Sequence, residues 1–396
     1  MSKILLFYSD EDIFNFYADR LYEELTKRGH DVFILDMNFK NAGIGHTLQE
    51  FRLFREPRID KAIAFNDIGF MAMNGRDGTF TYNQVVDITG RTDLCLVNIM
   101  MNPPYRFHSY FLWTPEQCIN YAYDRDDVKY MLRVFPRMHS NFLPHAGTPA
   151  TEPVTPYEER KINVLLTDDY EDPEECFAKI TTMFDKDSPL FLAFRQSYEL
   201  MKENTELSVT GALDNVLREY DIRLSQADKI VMYQNCIFTE LAIKNYIKGK
   251  AFETLADSGL DITICGRGWE RLPSAGKANI HIITDIDTHA DRLKLAATAK
   301  INLNVMPWTK DGSNENVFNA LLRDSLPITD PSVWLMNNLS PDKEAVYFNL
   351  DELERLPEII RHYLVNPDKA KAIIERGKKK VEENWTWKQL ADRIGV

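Results

Sequence analysis

Paired cysteines are missing from this sequence. Its five cysteines, Cys95, Cys118, Cys176, Cys236 and Cys265, are odd in number, far apart and include no C-x-x-C, which argues against a disulfide framework or a zinc ribbon and for buried thiols. No run of about 18 or more apolar residues occurs, so no segment is expected to span a bilayer. The opening MSKILLFYSDED turns acidic too early for a signal peptide, and the expectation is a cytoplasmic protein. Positive charge is also short: the net charge is -13, so duplex nucleic acid is not an expected partner, and an anionic ligand would need locally placed amides and arginines. The absence of G-x-G-x-x-G argues against a conventional NAD or FAD site. Neither H-E-x-x-H nor a nucleophile elbow is present, which leaves a metalloprotease or an α/β-hydrolase without support.

What is present is ordinary globular composition, 44% hydrophobic over 396 residues, long enough for two domains with a core each. The runs 3-KILLFYS-9 and 30-HDVFILD-36 read as strands. Between them Phe14, Tyr17, Ala18, Leu21 and Leu25 recur at helical spacing until Gly29. Strand, helix, strand at this spacing is a right-handed βαβ unit, and 61-KAIAF-65 and 94-LCLVNIM-100 continue a parallel sheet. A second series begins near 161-KINVLLTD-168 and continues through 261-DITICG-266, 280-IHIIT-284, 300-KINLNVM-306, 326-LPIT-329 and 345-AVYFNL-350. Residues 142–161 hold four prolines and read as the linker, and residues 170 to 257 read as mostly helical. The prediction is an α/β protein with two Rossmann-like, doubly wound domains, at 1–150 and 151–383. Residues 384–396 are predicted as a helix of the kind that crosses back onto the first domain.

Tandem domains of this kind predict a cleft, with ligands at the carboxyl ends of the strands facing it. In the second domain one strand is followed by Gly266, Arg267, Gly268 and Trp269. Glycines permit close approach of backbone, an arginine reaches a phosphate, and a tryptophan offers a flat face; the same residues also suit a tight turn over a core tryptophan. After strand 300-KINLNVM-306, Ser313 or Asn314 can cap a helix from about Glu315 to Asp324, whose first amides suit a diphosphate or simply an ordinary capped helix. In the first domain, strand ends bring forward Asp10, Asp124, Arg125 and His145.

The segments 123-YDRDDVKYMLRVFP-136, 142-FLPHAG-147, 264-ICGRGWE-270, 303-LNVMPWTKDGSNENVFNAL-321, 327-PITDPS-332 and 384-NWTWKQLADRI-394 together resemble the CgeB-like branch of group 1 glycosyltransferases, most strongly from about residue 260 onward. The resemblance implies the GT-B fold and metal-independent transfer of a sugar from a nucleotide-diphosphate donor to a protein or glycan acceptor, with no cofactor. It implies a donor site at Gly266, Arg267, Trp269, Ser313, Asn314, Glu315, Asn316 and Asn319, with Asp330 close by. Asn319 stands where many GT-B enzymes carry a carboxylate for the ribose hydroxyls. An inverting reaction needs a general base from the acceptor side, for which Asp10, Asp124 and His145 are the candidates. The family pattern has His and Arg where this chain has Asn314 and Asn316. Two rival readings are a non-catalytic GT-B module that binds a glycan or a partner enzyme, and a sugar-nucleotide epimerase.

Overall fold

Short β-branched and aromatic runs become the strands of two parallel sheets in the computed structural model, which describes residues 1–37, 59–68, 94–111, 114 and 118–396. The chain divides into two units, Met1–Ala146 with Trp387–Val396, and Gly147–Thr386. Gly147 opens the second unit: its amide donates to the carbonyl of Trp385 across 2.7 Å, and a Cβ there would lie 2.6 Å from Leu322 Cδ1.

In the first unit β1 (Lys3–Tyr8), β2 (Asp31–Asp36), β3 (Lys61–Phe65), β4 (Cys95–Met100), β5 (Ile119–Ala122) and β6 (His139–Phe142) lie in the order β2-β1-β3-β4-β5-β6. All neighbours are parallel. Helix Asp12–Lys27 buries Phe14, Tyr17, Ala18, Leu21 and Leu25, the stripe its sequence spacing predicts. It stops because Gly29 takes φ +83°, a left-handed conformation that costs a glycine little. The helix Trp387–Arg393 adds Trp387, Leu390 and Ala391 to the same apolar cluster.

The second unit holds β7 (Ile162–Thr167), β8 (Ile262–Cys265), β9 (Ile280–Ile283), β10 (Ala299–Asn304), β11 (Leu326–Thr329) and β12 (Val346–Tyr347), ordered β12-β11-β10-β7-β8-β9 and again parallel. Between β7 and β8 run the helices Pro173–Ala178, Pro189–Glu203, Val209–Glu219 and Gln226–Asp257. Each starts where a side-chain oxygen takes a backbone N–H of the first turn: Asp172, Ser188, Ser208 and Ser225 in that order. Among the described residues no helix is long and apolar enough to cross a membrane.

Candidate functional site

From β7 the second sheet grows to β8 and β9 on one side, and the chain then returns to lay β10 against the other side of β7. Loops leaving β7 and β10 therefore diverge, which opens a crevice at their carboxyl ends. Asp168 follows β7 there. The long helix Gln226–Asp257 brings Lys244 and Lys248 to it, one turn apart on the same face. Lys248 is 0% exposed; its ammonium meets the Asp168 carboxylate and makes no further hydrogen bond. Burial pushes the Lys248 ammonium well below its usual value, with Asp330 pulling the other way. Lys244 Nζ lies 3.7 Å from Asp168 Oδ2. Trp308, on the loop after β10, sets its ring centroid 4.4 Å from Lys244 Nζ and 5.4 Å from Lys248 Nζ. Two ammonium groups, one half-buried indole and one displaceable carboxylate thus converge at the switch point, a set that suits a phosphorylated ligand with a flat group attached.

The turn after β8 packs against the loop after β7. Gly268 has φ +89°, and a Cβ on it would sit 2.0 Å from the Tyr170 carbonyl oxygen. A Cβ on Gly266 would sit 1.9 Å from that of Asp168. The two loops are knitted by Asp168 N to Cys265 O at 3.1 Å and Tyr170 N to Arg267 O at 2.9 Å. Trp269 corrects the expectation of an open aromatic face: it is 0% exposed, lies between Tyr170 and Phe252, and donates Nε1–H to the Asp168 carbonyl at 2.6 Å. Large apolar area and a satisfied N–H make it a core residue. Arg267 is exposed and pairs with the equally exposed Asp287, an ion pair of the kind that contributes little.

The polar stretch after β10 spends its side chains on its neighbours in the fold. Asn314 caps the seven-residue helix Glu315–Leu321 by accepting the Asn316 amide at 2.9 Å, so that end of the helix already has a ligand of its own. Asn316 Nδ2 donates to Asn304 Oδ1 at 3.3 Å, and Glu315 Oε2 lies 4.0 Å from His289 Nε2. Ser313 is fully buried. Asn319 departs from the expected ribose ligand: it is 2% exposed and its Oδ1 accepts the Thr148 amide at 2.8 Å, which turns it toward residues 147 and 148. Asp330, after β11, is 1% exposed and accepts the Met306 amide at 2.7 Å. Burial pushes its carboxyl up to about 7, with the Met306 amide and Lys310 offsetting part of that.

In the first unit the three candidate bases fall at two places. Asp10 follows β1 at that sheet's own switch point, between β1 and β3, and is exposed. Asp124 and His145 follow the neighbouring strands β5 and β6. Asp124 is 4% exposed and accepts the Asp126 amide at 2.8 Å as a helix cap, while the His145 ring lies 4.5 Å from that of Tyr123. Counted across the sheet at about 4.8 Å per strand, Asp10 stands roughly 14 Å from Asp124 and roughly 19 Å from His145. Among the described residues no group of three His, Cys, Asp or Glu side chains is set to hold a metal ion.

Sequence reading missed Lys244, Lys248 and Trp308. A signal for Lys248 existed: it shares the helical stripe of Ile247, Ala251, Phe252 and Leu255, where a charge has no reason to be unless it has a task.

Residues 248–395, all but the last few in the second unit, match the family model described as Glycosyl transferase-like. No curated protein matches the chain. Among solved structures it is similar to a sucrose-phosphate synthase from Thermosynechococcus elongatus, at 10% identity and TM-score 0.57 over 100% of this chain and 98% of that one. It is likewise similar to a glycosyltransferase from Rickettsia africae ESF-5, at 12% identity and TM-score 0.51 over 99% and 96%. An alpha-glucosyltransferase solved with UDP and a 13-mer DNA gives 8% identity and TM-score 0.55 over 99% and 98%. The fold is GT-B, with two Rossmann-like parallel sheets.

Proposed function

We propose that the chain is a nucleotide-sugar-dependent glycosyltransferase of the CgeB-like branch, moving a hexose from a nucleoside-diphosphate donor to a protein or glycan acceptor. The observation that carries this reading is the convergence of Lys244, Lys248 and Trp308 on Asp168 at the switch point of the second unit. The donor diphosphate takes the two ammonium groups, and Asp168 gives up its place to it. In an acidic chain, these lysines supply the local positive charge that a diphosphate requires, and Trp308 offers the flat face that Trp269 cannot.

In the reaction the bond from the anomeric carbon to the diphosphate oxygen breaks, and a bond from that carbon to the acceptor oxygen forms. Charge develops on the leaving diphosphate, where Lys244 and Lys248 stabilise it, each charge-assisted contact contributing about 1.5–3 kcal/mol. If the anomeric centre inverts, the acceptor proton goes to a general base, for which Asp10, Asp124 and His145 are the candidates. No metal takes part in this scheme.

The test is calorimetry with uridine and guanosine diphosphates, followed by donor turnover against a panel of nucleotide sugars. One diphosphate binds and one donor releases its nucleotide; binding of neither, together with no turnover, overturns the reading. That outcome would favour a non-catalytic module, the reading for which the engagement of Asn319 with the Thr148 amide speaks. Free sugar released without any acceptor would point instead to an epimerase.

A further inference from the structure

A cavity of about 140 Å³ lies in the second unit beside Asp330, lined among others by Lys310, Glu206, Asn349, Val333 and Met336. Its size is the first constraint: drug-sized ligands occupy pockets from about 300 Å³ upward, so a whole nucleotide is too large. A single sugar ring is the right scale. Its charge is the second. Two carboxylates, Glu206 and Asp330, are matched by two ammonium groups, Lys310 in the wall and Lys248 acting on Asp330 from outside it, and Lys310 already donates to the carbonyls of Thr205 and Pro307, so an anion finds no excess of positive charge. The same ammonium in the wall disfavours a cation.

The third constraint is the distribution of polar and apolar groups. Asp330 is 1% exposed, with Oδ1 fixed by the Met306 amide, and gives the cavity a buried carboxyl. Asn349 uses Oδ1 to cap the Asp351 amide at 3.0 Å, which leaves its NH2 as a donor. Val333 and Met336, 57% and 45% exposed, give the rim an apolar surface that the fold leaves uncovered. Acceptors, a donor and an apolar lip together match a ring with hydroxyls at its edge and C–H groups on its face. We infer that this cavity is a subsite for one neutral monosaccharide, with Asp330 as its buried hydrogen-bonding group. The inference stands on the cavity and does not require the donor assignment at Lys248.

Saturation-transfer NMR tests it, with D-glucose, D-galactose, N-acetylglucosamine and L-rhamnose as neutral probes and ethanolamine as the cationic one. At least one sugar gives signal and ethanolamine gives none. Met336→Trp, at an exposed position, fills the mouth and weakens the sugar by about tenfold or more; Asp330→Asn, which keeps the acceptor for Met306, weakens it by about tenfold, the scale of one hydrogen bond. The inference fails if no sugar binds, if ethanolamine binds in place of sugars, or if Met336→Trp folds normally and binds sugar as before. Should Asp330→Asn not fold, Met336→Trp decides alone. Failure of nucleotide binding in the unaltered protein would overturn the donor assignment and leave this one standing.

Discussion

Arg160 donates from Nη2 to the backbone carbonyl of Arg323 across 2.8 Å, joining two buried guanidinium groups that work on carbonyls instead of carboxylates. Arg160 also takes Thr155 O at 2.9 Å and Ala299 O at 2.7 Å, while Arg323 takes Leu293 O at 2.9 Å, Thr148 O at 2.7 Å and Asn319 O at 3.2 Å. The proline-rich stretch from Thr148 to Arg160 is thereby fastened to β10 and to the helix Glu315–Leu321. Burial lowers both guanidinium groups, Arg323 to about 10, which leaves Arg323 charged at neutral pH. Arg323→Met leaves several carbonyls unsatisfied and is expected to cost about 2–4 kcal/mol, read as a lower midpoint in urea unfolding. Arg323→Lys recovers little of this, because one ammonium cannot span the fork. An unchanged midpoint for Arg323→Met would show that water replaces the guanidinium.

Lys248→Met separates binding from folding. Replacing a buried charge by an apolar side chain of similar length is often neutral or stabilising, and Asp168, 29% exposed, can turn to solvent when its partner is lost. The expected outcome is an unchanged or higher melting temperature with nucleoside-diphosphate affinity lower by about 10- to 100-fold, the equivalent of one charge-assisted contact. Calorimetry and a thermal scan on one preparation check both. Retained affinity would remove Lys248 from the site.

Much of this was legible in sequence, and the failures share a cause. The stripe Phe14, Tyr17, Ala18, Leu21 and Leu25 could be read because helix periodicity is local. The glycines at 266 and 268 were recognisable as places of close approach, but what approaches is the loop 168–170, which lies nearly a hundred residues away in sequence. The burial of Trp269 and the engagement of Asn319 with the Thr148 amide are tertiary facts of the same kind, since residue type reports chemistry and not which way a side chain faces. Lys248 was passed over because a lysine is usually a surface residue, and only its phase on a 32-residue helix marks it as buried.

Asp330 gives stability a definite pH dependence. Its carboxyl is raised from 3.8 to about 7 by burial, and the buried Asp67 carboxyl is raised likewise to about 7, with the Asn98 side chain offsetting part of that. Between those values the folded protein binds more protons than the unfolded chain, so these groups lower stability as pH rises from about 4 to 7. Asp67→Asn and Asp330→Asn are each expected to flatten the fall relative to the parent protein in urea melts at a series of pH values. Parallel curves for parent and variants would mean that these carboxyls are already ionised in the fold.

Trp387 tests what holds the final helix to the first unit, where two kinds of contact compete. The polar kind is Arg28, which donates to Asp392 Oδ1 at 2.8 Å, Lys388 O at 2.6 Å and Val396 O at 2.6 Å. The apolar kind is the Trp387 ring, 7% exposed, with centroids 5.7 Å from Tyr17 and 6.5 Å from Phe65. Asp392 is 58% exposed, so its pair with Arg28 is screened and contributes at most about 1 kcal/mol. Truncating a buried aromatic costs about 3–5 kcal/mol, so the ring outweighs the ion pair. Trp387→Ala is expected to lower the unfolding transition of the first unit and to expose Leu390 and Ile394, whereas Asp392→Asn shifts it little. Scanning calorimetry of the two variants gives the comparison. Equal shifts would mean that the pair between Arg28 and Asp392 fastens the helix as firmly as the tryptophan does.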